Sequence, residues 1–578
     1  MECVTKFCVS VTDQMPKECS VFLVGDGNKL GNWKPTDAVK LDLTEAQWEI
    51  EMCLNAKEQI RYRYFIGAMY EGAVVIKQFE VHPTFMTRSI VVPEKENLVV
   101  KDIFGVAGDL QSVDCGWLTS QTEIRVLISS TQGHPITFNK NFGNGMLNKS
   151  KLKIKPIAHG DIIGISTTVI EPFQSQQIVN IPNAGLKIPE DEQMCLLFSM
   201  QTLNASSCSI NLEIYDNDKR LGVATVAFGA LSTSKQALNI AVIDDNFLCI
   251  GVLKISYLRI SPFQCEALNM ERLFSRHWKP KPMVHIGHRG SGNSFTSKLI
   301  ANVPENTVAS FKQANENRAQ LVEFDVHLTK DMIPIVYHDL TTSCKVKTKE
   351  EPGDVLLEMP VFHFTLKELQ SLDMKHRSRI TNTRKLDFNE QDTSPDMQMF
   401  PTLKTVLTDV PVETGFDIEV KWPTLDINNE FEDGLESYID ANVFVDTILK
   451  AVYESAGSRR IMFSSFDIDI CILLKRKQGK YPVFLLTNGD TNFYTPLLDP
   501  RERTNGMAVG SCLAEQFLGV ITLDKDVYQT PEVIKKIKST GVVFGCYGDE
   551  VTDNLPMMKQ LNVDIAIYDR ISKELAKI

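Results

Sequence analysis

The sequence predicts a multidomain protein: an N-terminal β-sandwich, a β-rich middle segment and a C-terminal (β/α)8 TIM barrel. Three observations carry this. In the second half, short apolar runs end in polar clusters and a helix-like stretch separates the first two, which is the grammar of a parallel α/β fold. The first hundred residues hold a set of short, alternating or β-rich runs of strand length. Between these halves, further strand-like runs are separated by polar turns. At 578 residues the chain has room for two to four domains. The expected boundaries are 1–100, 101–275 and 280–578.

In the first unit the runs are Phe7 to Thr12, Ser20 to Val24, Gln47 to Leu54, Ile60 to Ile66 and Val74 to Val81. Antiparallel strands of this length and number fit a sandwich of about a hundred residues. In the middle segment Thr122 to Ile128, Ile210 to Tyr215, Val223 to Phe228 and Ile250 to Ile260 read as strands, with no evident site. Arg272 to Pro282, basic and proline-bearing, reads as the linker into the barrel. Val284 to Ile286 then runs into Gly287-His288-Arg289. Val308 to Arg318 is helix-like, Leu321 to Val326 is a second strand, and Ile333 to Tyr337 a third, ending at His338. In a (β/α)8 barrel the chemistry sits at the C-terminal ends of the strands, and the polar clusters fall there.

Glu323 and Asp325 are two apart on a strand, so both point to one face. Paired carboxylates on an inward face repel and are costly to bury unless a cation holds them. A hard divalent ion fits, Mg²⁺ ahead of Ca²⁺. Phe416 to Lys421 alternates as another strand and puts Asp417, Glu419 and Lys421 on one face, so Glu419 can complete the metal set. Lys421 and Arg289 can hold a phosphate, Arg as a planar fork and Lys as a point charge. His288 and His338 supply imidazoles, which both accept and donate protons near neutral pH. Two histidines, basic groups and clustered acids are what a metal-assisted phosphodiesterase needs.

His288-Arg289-Gly290, Pro304-Glu305-Asn306-Thr307, Glu323-Phe324-Asp325-Val326, Tyr337-His338-Asp339 and Ile418-Glu419-Val420-Lys421 together resemble the glycerophosphodiester phosphodiesterase family. Phe400-Pro401-Thr402-Leu403 and Phe463-Ser464-Ser465-Phe466-Asp467 agree. The resemblance implies a (β/α)8 barrel with an inserted segment, Thr341 to Gln398, that caps the site. It implies Glu323, Asp325 and Glu419 as metal ligands and His288 and His338 as the acid/base pair. It also implies Arg289 and Lys421 on the phosphate, and Glu305 near the glycerol or metal. Phe544 to Asp549 stands where the family's last strand carries a Trp-Thr-Val-Asn-like stretch. At the N-terminus, Leu30-Gly31-Asn32-Trp33, Trp48 and Tyr62-Arg63-Tyr64-Phe65 resemble the starch-binding (family 20) carbohydrate-binding module. That likeness implies glycogen or a starch-like glucan as partner, with Trp33 as the sugar platform and Arg63 as its basic neighbour. The combination resembles the animal members of the family that act in the cytosol. It implies hydrolysis of glycerophosphocholine to sn-glycerol 3-phosphate and choline. Two other readings stand beside it: a lysophospholipase D acting on lysophospholipids, and a glycogen-associated scaffold with an inactive barrel.

The formal charge of −12 argues against nucleic acid as a partner. No signal-peptide core follows Met1, and no stretch approaches the roughly 18 apolar residues of a spanning helix, so no membrane anchor is expected. The 13 cysteines are odd in number and scattered, as in a reduced, cytoplasmic protein.

Overall fold

Eight short parallel strands close into a barrel in the second half of the chain. They are Val284–Gly287, Leu321–Leu328, Gly415–Val420, Ile461–Ser465, Val483–Thr487, Gly519–Leu523, Val543–Tyr547 and Ile565–Tyr568. The first pairs with both the second and the eighth, which closes the ring. The computed structural model describes every residue except 1, 13–14, 17, 45–46, 82–86, 108–109, 112, 140–141, 143–148, 277, 279–282, 293–302, 348–353, 373–393, 436–437, 492 and 572–578.

The barrel strands are buried nearly end to end, as parallel strands covered on both faces must be. Val284, Ile286, Leu321, Met462, Phe484, Leu486, Ile521, Ile565 and Ile567 fill the interior as one apolar cluster. Side chains on a strand alternate, so Leu321, Glu323 and Asp325 climb the same inner wall. The apolar layer lies at the bottom and the acids stand above it. The outer helices start on side-chain caps, Asp440 for Ala441–Ser455, Asp467 for Ile468–Lys477 and Thr504 for Asn505–Glu515. Among the described residues no helix is long and apolar enough to cross a membrane.

Two expectations change here. The run ending at His338 is not a barrel strand: Pro334–Val336 pairs antiparallel with Leu321–Leu328. The gap between them, Thr329 to Ile333, is far shorter than the dozen or so residues a parallel crossover needs, so the chain must hairpin. Phe544 to Tyr547 belongs to the seventh barrel strand; the last is Ile565–Tyr568. Much of the inserted segment, 348–353 and 373–393, lies outside the described residues, as does 279–282 of the linker.

The N-terminal unit is a β-sandwich. Asp42–Leu43, Trp48–Asn55, Glu2–Ser10 and Leu98–Ile103 form one sheet. Gln59–Tyr70, flanked by Ser20–Gly25 and Ala73–Glu80, leads the other. Phe7, Val21, Leu23, Tyr62 and Tyr64 pack between them. Val113–Cys115 returns to the edge of the second sheet beside Ala73–Glu80. The middle region is an antiparallel 11-stranded sheet. Strands from both its ends, Leu152 and Ile154 at one and Phe198 and Met200 at the other, meet in one apolar cluster, so the sheet curls over on itself. It docks on the barrel through buried charges. Arg125 bridges Glu123 and Glu515 at 2.6 Å each. Burial would raise the Glu123 carboxyl, but Arg476 and Arg125 outweigh it and hold Glu123 at about 2.

Candidate active site

Strand 1 of the barrel ends at Gly287, and the chain turns sharply with φ of 48° at Arg289 and 92° at Gly290. A Cβ at Gly290 would lie 2.4 Å from Ser310 Oγ, so glycine is required. The left-handed Arg289 is held from three sides. Its backbone N–H donates to Glu323 Oε2 at 2.8 Å, its carbonyl accepts from Ser310 Oγ at 3.0 Å, and its guanidinium donates to Glu305 Oε1 at 2.7 Å. Backbone strain of this kind persists only where surroundings fix it. Glu305 is thus the ion-pair partner of Arg289.

The second and third strands run parallel with Glu323 beside Asp417 and Asp325 beside Glu419. Ligand oxygens of Glu323, Asp325 and Glu419 all lie within 4.8 Å of one another. Burial, then the charges of Asp325 and Glu419, drives the Glu323 carboxyl well above its ordinary range. Burial lifts Glu419 to about 7. Asp417, deeper in the barrel, accepts from Ser464 Oγ at 2.8 Å and is pushed by burial to about 8. Three buried carboxylates facing one point have more negative charge than the interior tolerates, and a hard cation with oxygen ligands fits them. Asn306 donates to Asp325 Oδ2 at 3.2 Å and fixes that ligand from outside.

Each histidine carries its own carboxylate. His288 Nδ1 is 2.8 Å from Asp569 Oδ1, at the end of the eighth strand. His338 Nδ1 is 2.7 Å from Asp339 Oδ1. A carboxylate on Nδ1 sets the tautomer and leaves Nε2 for another partner. Burial, then Arg289 and Lys421, holds His338 well below its ordinary value. Lys421 is buried, with its Nζ 3.6 Å from both Glu419 and Glu432. His288, Arg289, Glu323, Asp325, His338, Glu419 and Lys421 line one cleft of about 550 Å³. None of the described residues of the inserted segment lines it.

Sequence reasoning missed Asp569, because the last strand was placed one strand too early. For Asp339 the sequence leaves a turn role and a substrate contact equally open, and the structure puts it on His338 Nδ1 instead. Sequence reasoning also missed Phe493, Tyr494 and Asp524, which only the fold brings into one wall with Tyr547 of the altered Phe544 to Asp549 stretch.

The expected sugar platform is not there. The turn Gly31, Asn32, Trp33 has φ of 73°, 47° and 65°, which folds the indole inward. Trp33 is 5% exposed and packs with Phe22, Phe65, Met270 and Leu273. Its Nε1–H donates to Asp26 at 2.9 Å. The guanidinium over its ring is that of Arg61, at 5.7 Å. Arg63 is 3% exposed and donates to the Met270 and Glu80 carbonyls. The cause is the segment 268–273, which lies across the turn and covers it. Trp33→Ala is therefore expected to cost about 3–5 kcal/mol of stability and to leave glycogen co-sedimentation unchanged. Lost sedimentation with an unaltered melting curve would restore the platform.

The comparisons with known proteins fit this picture. Residues 288–573 match the glycerophosphoryl diester phosphodiesterase family, and residues 3–100 match the starch binding domain. Glycerophosphocholine phosphodiesterase of Homo sapiens is 33% identical over 95% of this chain and 88% of its own length. Glycerophosphocholine phosphodiesterase of Candida albicans is 31% identical over 59% of this chain and 32% of its own. Among solved structures, a phosphodiesterase of Oleispira antarctica in complex with sn-glycerol-3-phosphate is 18% identical. It covers 51% of this chain and 96% of that one, with a TM-score of 0.34. With the match running from His288 to beyond Asp569, and a relative aligned along nearly its full length, the chain belongs to the glycerophosphoryl diester phosphodiesterase family.

Proposed function

We propose that the protein hydrolyses glycerophosphocholine to sn-glycerol 3-phosphate and choline with the help of a divalent cation, Mg²⁺ ahead of Ca²⁺. The observation that carries this reading is the single cleft holding three converging carboxylates, two carboxylate-oriented histidines and the basic side chains of Arg289 and Lys421. The names of the human and fungal relatives supply the head group.

A cation held by Glu323, Asp325 and Glu419 would offset the charge of the phosphodiester and polarise it for attack. Arg289 and Lys421 present fixed positive charge to the remaining phosphate oxygens, where negative charge builds during the displacement. They are pre-positioned by Glu305 and by Glu419 with Glu432, so little reorganisation is needed as the reaction proceeds. One imidazole takes, at Nε2, the proton of the attacking hydroxyl as its oxygen bonds to phosphorus, whether that hydroxyl is water or the glycerol 2-hydroxyl, whose cyclic phosphate water then opens. The other gives its proton to the choline oxygen as the P–O bond breaks. Asp569 and Asp339 stabilise whichever imidazolium forms.

The odd number and scattered placement of the 13 cysteines support a reducing compartment, the cytoplasm.

The test is choline release from glycerophosphocholine, run beside lysophosphatidylcholine. EDTA is expected to abolish release, and excess Mg²⁺ to restore it. Full activity in EDTA-treated, metal-free protein would remove the metal from the reading. Turnover of the lysolipid alone would make the protein a lysophospholipase D.

A further inference from the structure

We infer that Tyr494, Tyr547 and Asp524, with Asp549 at the rim, form the pocket that receives the leaving alcohol and selects a quaternary ammonium group. This deepens the reading above and rests on the same cleft.

The cleft carries charges of both signs. Arg289 and Lys421, beside the three converging carboxylates, line the same cleft as Asp524 and Asp549, and Tyr494 lies within reach of the charges of all four. Burial first, then the charges of Asp549 and Asp524, raises the Tyr494 phenol, while Lys421 and Arg289 pull it back. A substrate with an anionic phosphate and a cationic head two carbons away matches that pairing.

Asp524 follows the sixth strand and is fully buried. Its Oδ2 accepts from the Glu550 N–H at 2.7 Å. Its Oδ1 has no partner among the described residues. Gly548, with φ of 143°, presses its backbone against this carboxylate, and a side chain there would collide with it. A buried carboxylate oxygen without a donor is costly, and because Asp524 lines the cleft its charge acts across the wall on a cation seated there.

The aromatic groups complete the pocket. Tyr547 is anchored by its hydroxyl, which donates to Asn488 at 2.9 Å, and its ring meets Phe466 edge-on at 5.7 Å. Phe493 and Tyr494 stand edge to face at 4.8 Å, and both are about half exposed. The protein's own Lys525 ammonium lies 3.5 Å from the centre of the Phe493 ring. That face already attracts a cation, which leaves Tyr494 and Tyr547 for a ligand. A trimethylammonium group has no N–H to donate. It is recognised by aromatic faces and an uncommitted negative charge, which is what these residues offer. An ethanolamine or serine head would instead need acceptors placed for its N–H groups.

The experiment titrates the full-length protein with choline and with 3,3-dimethylbutan-1-ol, its neutral isostere, by calorimetry. Choline is expected to bind about tenfold more tightly. Tyr494→Ala should erase that preference, and Tyr494→Phe, which keeps the ring, should retain it. In parallel, the ratio of kcat/KM for glycerophosphocholine over glycerophosphoglycerol is measured. It should fall about tenfold in Tyr494→Ala. Equal binding of choline and the isostere by the wild type overturns the pocket, as does a Tyr494→Ala variant that slows both substrates alike. A wild type that selects choline yet does not cleave glycerophosphocholine keeps the pocket and removes the substrate reading. Cleavage without selection does the reverse.

Discussion

His288→Ala is expected to lower kcat/KM for glycerophosphocholine by about 10²–10⁴-fold, the range that general acid–base groups supply. His338→Ala should fall in the same range. The reason lies in placement as much as in residue type. His288 hangs from the end of the first strand and is gripped by Asp569 from the end of the eighth, across the seam where the barrel closes. Asp569→Asn separates orientation from charge. An asparagine amide can donate to Nδ1, which would force the proton onto Nε2 and reverse the tautomer. That variant should lose kcat while KM for glycerophosphocholine changes little. The checks are steady-state choline release and circular dichroism to establish folding. A folded His288→Ala protein with wild-type turnover would end the assignment.

Glu323, Asp325, Glu419 and Lys421 were legible because a strand's two-residue period fixes which side chains share a face, and burial of acids implies a cation. His288 was legible because it follows an apolar strand directly. His338 was identified although its strand was misjudged: Pro334–Val336 hairpins back, yet the Tyr337 N–H donates to the Asp325 carbonyl and the next residue, His338, reaches the cleft. Asp569 was not legible, since its role depends on which strand closes the barrel, some 280 residues away in sequence. Trp33 shows the opposite failure. A Gly-Asn-Trp turn identifies a platform only if nothing covers it, and the covering segment, 268–273, comes from the far end of the middle region. Local pattern fixes faces and spacings; what lies against a face is decided by docking, which no local pattern encodes.

A buried ion pair helps dock the N-terminal unit on the barrel, and Asp114→Ala is expected to destabilise the protein by about 3–5 kcal/mol, the cost of leaving a buried charge without its partner. Asp114 lies on the edge strand Val113–Cys115 of the N-terminal sandwich, and Lys475 on the barrel helix Ile468–Lys477. The Lys475 ammonium donates to both carboxylate oxygens, at 2.8 and 2.6 Å. The Cys115 N–H adds a bond to Oδ1 at 2.8 Å, and the Ser275 hydroxyl donates to Oδ2. The side chains are 0% and 3% exposed, so water does not replace a lost partner without local opening. The same physics predicts that Asp114→Leu with Lys475→Met recovers part of the loss, because an apolar pair pays no desolvation while the Cys115 N–H and the Ser275 hydroxyl are left without their acceptor. Urea unfolding resolves this as a shift in the first transition. The helix involved follows the strand whose Ser464 supports Asp417, so loosened docking should hasten thermal inactivation while leaving turnover at 25 °C near normal. An Asp114→Ala variant within about 1 kcal/mol of wild type would mean that Lys475 finds water or another carboxylate, and that apolar packing around Trp117, rather than the ion pair, holds the two units together.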